Sequence, residues 1–392
     1  MGINHSHEVP TLELDRTSRL VLTSFLVIVG LAAVIGMAVL WPQPAELERA
    51  IVPLEDPPGV SYHDGHILQL TRGCEGVADP ANCYLAEVLL LDGEQAEQTV
   101  QIELVGPQAM SGLRVGDVVE VARVPTPDGV FYSYTGTNRL GALLWLTMLF
   151  VVAVLAVARL RGLTALLGLV ISGFVLTGFM LPALIVGRPG IPVALAGSTA
   201  ILFVVLYVAH GVSMRTSTAL AGTILGLAVT TGLGMVAVHA ARLSGFADES
   251  DFELLRFVGG LNFQELLMSA IIIGGLGVLN DVTITQASAV WELRAAAPEL
   301  SRRQLFAAGM RIGRDHIASS IYTVVFAYAG GSLTVLLLLH FANRGGLDLF
   351  GAEMFASEAV RTLASAIGLV LSVPITTGLA AVSVVGASPK AG

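Results

Sequence analysis

Residues 268–290 read MSAIIIGGLGVLNDVTITQASAV. The run is apolar almost throughout and carries one ionisable side chain, Asp281. It is long enough to cross a bilayer core, which takes about 20 helical residues. With its flanks it predicts a helix over 264–290. Seven more apolar runs lie at 20–40, 140–158, 162–186, 191–209, 217–241, 317–341 and 358–386. The chain therefore reads as an α-helical polytopic membrane protein with about eight transmembrane helices. Composition agrees: 54% of the 392 residues are hydrophobic and 13% are charged, against roughly a quarter charged in soluble domains. A water-soluble enzyme and a disordered chain are excluded. The net charge of −9 argues against a nucleic-acid surface.

Between the first and second runs the composition changes. Residues 42–138 are polar and begin with prolines at 42, 44, 53, 57 and 58. HILQL, CYLAEVLLL, QTVQIELV and DVVEVARV alternate with the turn sequences LDGE, VGPQ, RVGD and TPDG, which is a strand-and-turn rhythm. Five or so short strands predict a small all-β domain, a barrel or sandwich of OB-like type. The stretch is acidic and has no aromatic run on which bases could stack, so that shape implies no oligonucleotide.

The domain order is a tail at 1–19, a transmembrane helix at 20–40, the β-rich domain at 42–138, seven helices within 140–386 and a tail at 387–392. The first run follows Arg16 and Arg19 and ends at Trp41. It is too long for a cleaved signal core and reads as an anchor that stays. With the N-terminus inside, 11 of the 21 basic residues fall on the inner side, against five in the short outer loops. The positive-inside rule then puts both termini in the cytosol and residues 42–138 outside. Cys74 and Cys83 would meet an oxidising compartment there and could pair as a disulfide; a redox pair is the alternative. No Cys/His zinc pattern is present, and His5 and His7 are too few to hold a metal.

Asp281 is the sharpest chemical signal. A carboxylate within a membrane helix is costly unless paired, protonated or beside water, so it is a candidate proton or cation relay. The plain alternative is a neutral Asp bonding helix to helix. Asn280, Thr283 and Thr285 are candidate co-ligands, with Gln286, Thr323, Thr376 and Thr377 as a supporting polar cluster. Asp281, Thr285, Ser288 and Glu292 are spaced as one helical stripe. Gly274, Gly275 and Gly277 permit close helix approach, and Pro374 frees a carbonyl beside Thr376. Thr230 and Thr231 add hydroxyls near the middle of their helix. Each Thr can also bond its own backbone.

Arg314, Asp315 and His316 sit where a cytosolic loop would enter the membrane, as a gate or as a polar anchor. The preceding ELRAAAPELSRRQLFAAGM reads as a short amphipathic surface helix capped near Pro298 and Ser301, suited to anionic lipid. His210 and His239 lie at opposite ends of their helices, and Glu265 falls at headgroup level. No hydrolase, zinc-protease, nucleotide-binding or dinucleotide-binding motif is found, so no cofactor and no enzymatic activity are expected.

RGLTALLGLVISGFVLTGFMLPALIVGRPG, GGLGVLNDVTITQASAVWEL and GRDHIASSIYTVVFAYAGGSL resemble the YibE/F family of bacterial multi-pass membrane proteins. That resemblance implies the bacterial plasma membrane. From about residue 201 to 386 the chain is also distantly similar to SecF, an RND-like export component, through a helix bearing Asn280–Asp281 and a polar re-entry. By that resemblance Asp281 would be an ion-relay residue. Three functions follow as expectations. The first is an ion-coupled transporter or export-assisting protein using protons or sodium. The second is a scaffold or sensor whose outer domain binds an envelope component. The third is a membrane enzyme acting on a lipid-borne substrate. A homo-oligomer or partner membrane protein would complete the first.

Overall fold

The computed structural model describes residues 16–52, 58–74, 82–93, 95–127, 129–247, 249–341 and 351–384. His5, His7, Pro53, Pro57, Arg344, Lys390 and the tail at 387–392 lie outside the described residues. The chain divides into two compact units, Pro53–Val157 and the remainder. Residues 44–50 form a helix and fall in the larger unit.

The smaller unit holds β1 (Ser61–Arg72), β2 (Cys83–Leu90), β3 (Thr99–Val105), β4 (Val118–Thr126) and β5 (Gly129–Thr137). All pair antiparallel in the order β3-β2-β1-β4-β5. The first half of β1 pairs with β4 and the second half with β2. The crossing point is Gly65, where a side chain would meet Val88 and the Leu89 carbonyl. The outer strands β3 and β5 come into contact, and the Tyr132 hydroxyl donates to Gln95 beyond β2. The sheet therefore curls, as expected of a partly open five-stranded barrel. Burial alternates strictly along β3, as a strand with one buried face requires. Ile67, Val88, Ile102 and Val121 fill the core.

Cys74 and Cys83 form a disulfide across nine positions of sequence. Closing a loop of that size contributes about 2–3 kcal/mol by restricting the unfolded chain. Replacing both with alanine is expected to accelerate amide exchange across β1 and β2 in the intact protein. Unchanged exchange would show that the sheet stands without the bond.

The larger unit begins with α1 (Arg16–Leu40) and the short α2 (Pro44–Ala50). Glu46 of α2 pairs with Arg188 at 2.9 Å. The Gln43 backbone hydrogen bond, more than the Arg188 charge, holds that carboxyl below its ordinary value. Next come α3 (Leu140–Val175), whose first part belongs to the smaller unit, a π-helical turn at Leu176–Met180 and α4 (Leu181–Ile185). After them run α5 (Gly190–His210), α6 (Met214–Ala240), α7 (Glu249–Phe257), α8 (Phe263–Ala296), α9 (Arg302–Gly331), α10 (Leu333–Phe341) and α11 (Glu353–Ser383). Helices α6, α8 and α11 pack mutually at the centre, with α9 against α8 and α11 and α5 against α1 and α8.

Among the described residues, six helices are long and apolar enough to cross a membrane. The runs at 140–158 and 162–186 fall within a single stretch, Leu140–Ile185, broken at Arg159, where φ is 52°. The run at 317–341 is divided at Ser332 between α9 and α10, and α9 is not among the six. The expected surface helix before residue 310 is not separate, because α8 continues to Ala296 and α9 then runs unbroken from Arg302. The cap falls at Ser301, whose side chain and that of Gln304 satisfy each other's backbone N–H.

Candidate ion-relay site

The polar residues of α8 divide between two faces. Thr283 and Gln286 are fully buried, Asn280 and Thr285 are half-buried, and Asp281 is exposed. A helix turns 100° per residue, so neighbours in sequence point apart.

The buried face is a polar seam through the three central helices. Thr283 and Thr223 of α6 share a hydrogen bond of 2.6 Å. Three residues along α8, the Gln286 amide donates to the Gly309 carbonyl of α9 at 2.9 Å and to Thr377 Oγ1 of α11 at 2.7 Å. Thr377 in turn donates to the Val373 carbonyl. Glycines let these side chains in. A methyl at Gly222 would strike Thr376, one at Gly309 would strike Thr377, and one at Gly313 would strike Val373.

The seam is incompletely satisfied. Asn280 Oδ1, Gln286 Oε1 and Thr376 Oγ1 are buried and have no hydrogen-bond partner. Leaving such an oxygen unpaired costs about 1–3 kcal/mol, so three along one interface demand a reason. All are oxygens able to accept a proton donor or ligate a small hard cation.

Asp281 lies outside the seam. Its carbonyl accepts from Thr285, while no ion pair or hydrogen bond holds its carboxyl among the described residues. Thr323 is exposed and donates to the Ser319 carbonyl. Arg314, Asp315 and His316 are exposed on α9. The structure thus brings together Thr283, Gln286 and Thr377, leaves Asn280 at their edge, and puts Asp281, Thr323 and the Arg314–His316 group on outer surfaces. Among the described residues no three His, Cys, Asp or Glu side chains cluster to hold a metal.

Glu265 has a structural task, accepting the Ile191 N–H at the start of α5. Thr230 and Thr231 bond their own helix at the Gly226 and Leu227 carbonyls. Thr223, Ser365 and Ser372 are buried participants that the runs of apolar sequence hid. The available signal was spacing: Thr216, Thr223 and Thr230 recur every seven residues on α6, which keeps them on one face.

No curated protein and no solved structure matches the chain. A family model does: residues 146–386 match that of the YibE/F-like proteins. The match covers more than half of the chain and includes all of α8, α9 and α11, and the protein belongs to the YibE/F-like family.

Proposed function

We propose that this YibE/F-like protein is an ion-coupled transporter that moves a proton or monovalent cation along the α6–α8–α11 seam. One observation carries the reading: three buried oxygens in or beside this polar seam, on Asn280, Gln286 and Thr376, are unpaired. Permanent structure would pair or remove them, whereas a site that is occupied in turn and vacated needs spare ligands.

In the same reading the chain sits in the bacterial plasma membrane with both termini cytosolic and the β unit outside. The stretch Leu140–Ile185 counts 46 residues, about 69 Å as helix, against a core of about 30 Å. That length supports two crossings hinged at Arg159. A further crossing from α9 into α10 restores eight. Asp281 is the group that exchanges the ion with the seam from the outer surface of α8. An acid on a lipid-facing helix costs about 2.5–3.5 kcal/mol at the bilayer centre, so this face is covered by a second subunit or reached by water.

The exposure of Asp281 also favours a second reading, a scaffold whose polar α8 stripe docks another membrane protein. Flux separates the two. Proteoliposomes holding a pH indicator, driven by a sodium or potential gradient, are expected to show ion movement above empty liposomes. Asp281→Asn should abolish it. Folded wild-type protein without flux under either gradient would overturn the transporter reading and leave the scaffold.

A further inference from the structure

At the end of the bundle where α1 and α9 begin, a cavity of about 630 Å³ opens between α1, α6 and α11. Leu22, Phe25, Leu225 and Leu379 line its depth. Val21 and Val382, both exposed, flank its opening. Its polar side chains lie at helix ends: the hydroxyls of Thr17 and Ser18 in the first turn of α1, that of Ser383 at the end of α11, and Arg302 in the first turn of α9. From Thr17 to Phe25 the wall descends about 12 Å along α1. The result is a greasy slot with a cationic, hydrogen-bonding head.

The charges at that head are placed against the helix dipoles. Helix N-termini carry partial positive charge and favour acids. Yet α1 and α9 have no acid in their first turns and carry Arg16 and Arg19, and Arg302 and Arg303, instead. Arg302 has no carboxylate partner among the described residues. One turn of chain away, Arg294 is 4% exposed and donates to the Pro298 and Leu300 carbonyls; its charged neighbours are Arg302 and Glu299. Such a concentration of cations at helix N-termini is unfavourable by itself. An anion between them relieves it.

We propose that this cavity is a binding site for an anionic phospholipid of the surrounding bilayer. One acyl chain fills the slot between α1, α6 and α11. The phosphate is held by the Arg302 guanidinium with the Thr17 and Ser18 hydroxyls. Basic pockets between transmembrane helices recognise acidic lipid headgroups in this way. A zwitterionic lipid offers the same acyl chain without net negative charge, so the arginines set the selectivity. Occupancy ties α1 to the α6–α11 core, and the proposal does not depend on the ion pathway, since it uses none of the seam residues.

The test uses the full chain in non-ionic detergent, supplied in turn with phosphatidylglycerol, phosphatidylcholine and inorganic phosphate. Native mass spectrometry counts retained lipid and a thermal melt reads stabilisation. Phosphatidylglycerol should be retained and raise the melting temperature, with phosphatidylcholine bound about tenfold more weakly, the worth of one charge-assisted contact. Arg302→Gln should remove that preference. Gly378→Leu, which fills the slot from α11, should reduce retention of both lipids, and it supplies the answer should the arginine variant not fold. Equal retention of the two lipids, or full retention of phosphatidylglycerol by Gly378→Leu, would overturn the proposal. So would displacement of the lipid by inorganic phosphate alone, which would mark a free-phosphate site.

Discussion

Gly368→Ala is expected to lower the stability of the helical unit by about 3 kcal/mol or more, from one added methyl group. Its Cβ would be driven into the Thr230 hydroxyl of α6, with Thr230 Cβ at 3.1 Å and Cα at 3.6 Å behind it. On its other side Thr230 packs closely on Gly275 of α8, where a methyl would lie 3.2 Å from Thr230 Cγ2, so its freedom to retreat is small. Overpacking of a tight core typically costs about 1–3 kcal/mol. Displacing the hydroxyl from the Gly226 carbonyl, 3.1 Å away, adds about 1 kcal/mol or more. Between helices in lipid, close packing of this kind replaces the hydrophobic drive that holds soluble cores. Denaturation by sodium dodecyl sulfate in mixed micelles reads the change. Gly277→Ala is the control, since its methyl would meet nothing within 4 Å, and it should be neutral or slightly stabilising by helix propensity. Adding Thr230→Ala to the first variant should recover most of the loss. Failure of that rescue would place the strain elsewhere.

The same contacts show what the sequence could and could not disclose. Hydrophobic length and the strand-and-turn rhythm are local properties, so the apolar helices and four of the five strands were legible from composition alone. β5 is the strand that was not singled out, and the alternation of Tyr132 and Tyr134 is what marks it. The cap at Ser301 was legible because Ser followed three residues later by Gln is a local pattern. The break near Arg159 was legible too, because Arg159 and Arg161 interrupt the apolar sequence between the runs at 140–158 and 162–186; the positive φ by which the chain makes that break was not. Nor was the fusion of the expected surface helix with the following span, since the five charges between Arg302 and Asp315 read as loop or interface by hydropathy. Asp281 drew attention because an acid in an apolar run is rare. Its helical phase relative to α6 and α11, which decides whether it is inside, depends on partners that one helix cannot specify. The buried seam is formed instead by the neutral neighbours of Asp281 on the other face of α8.

Gln286→Leu is expected to abolish ion flux while leaving the fold nearly intact, and the two effects separate for a definite reason. Leucine has nearly the same size and keeps the contacts of the site with Gly309 and Gly313. It removes two donors, but neither acceptor is left bare: Thr377 still donates to the Val373 carbonyl at 2.6 Å, and the Gly309 carbonyl remains within the hydrogen-bonded interior of α9. It also removes Gln286 Oε1, an oxygen that is unpaired in the folded protein. Losing hydrogen bonds worth about 1 kcal/mol each is thus offset by relief of an unsatisfied acceptor worth about 1–3 kcal/mol. Stability should change by about 1 kcal/mol or less, in either direction. Flux should fall to the empty-liposome level, because the seam then lacks the amide oxygen between Thr283 and Thr377. Gln286→Glu should behave differently. It keeps an oxygen at the position but introduces an acid into a fully buried site, and should both destabilise the protein and make any remaining flux depend on pH. Wild-type flux in a stable Gln286→Leu protein would mean that the ion takes another route, and that the unpaired oxygens are only sites for structural water.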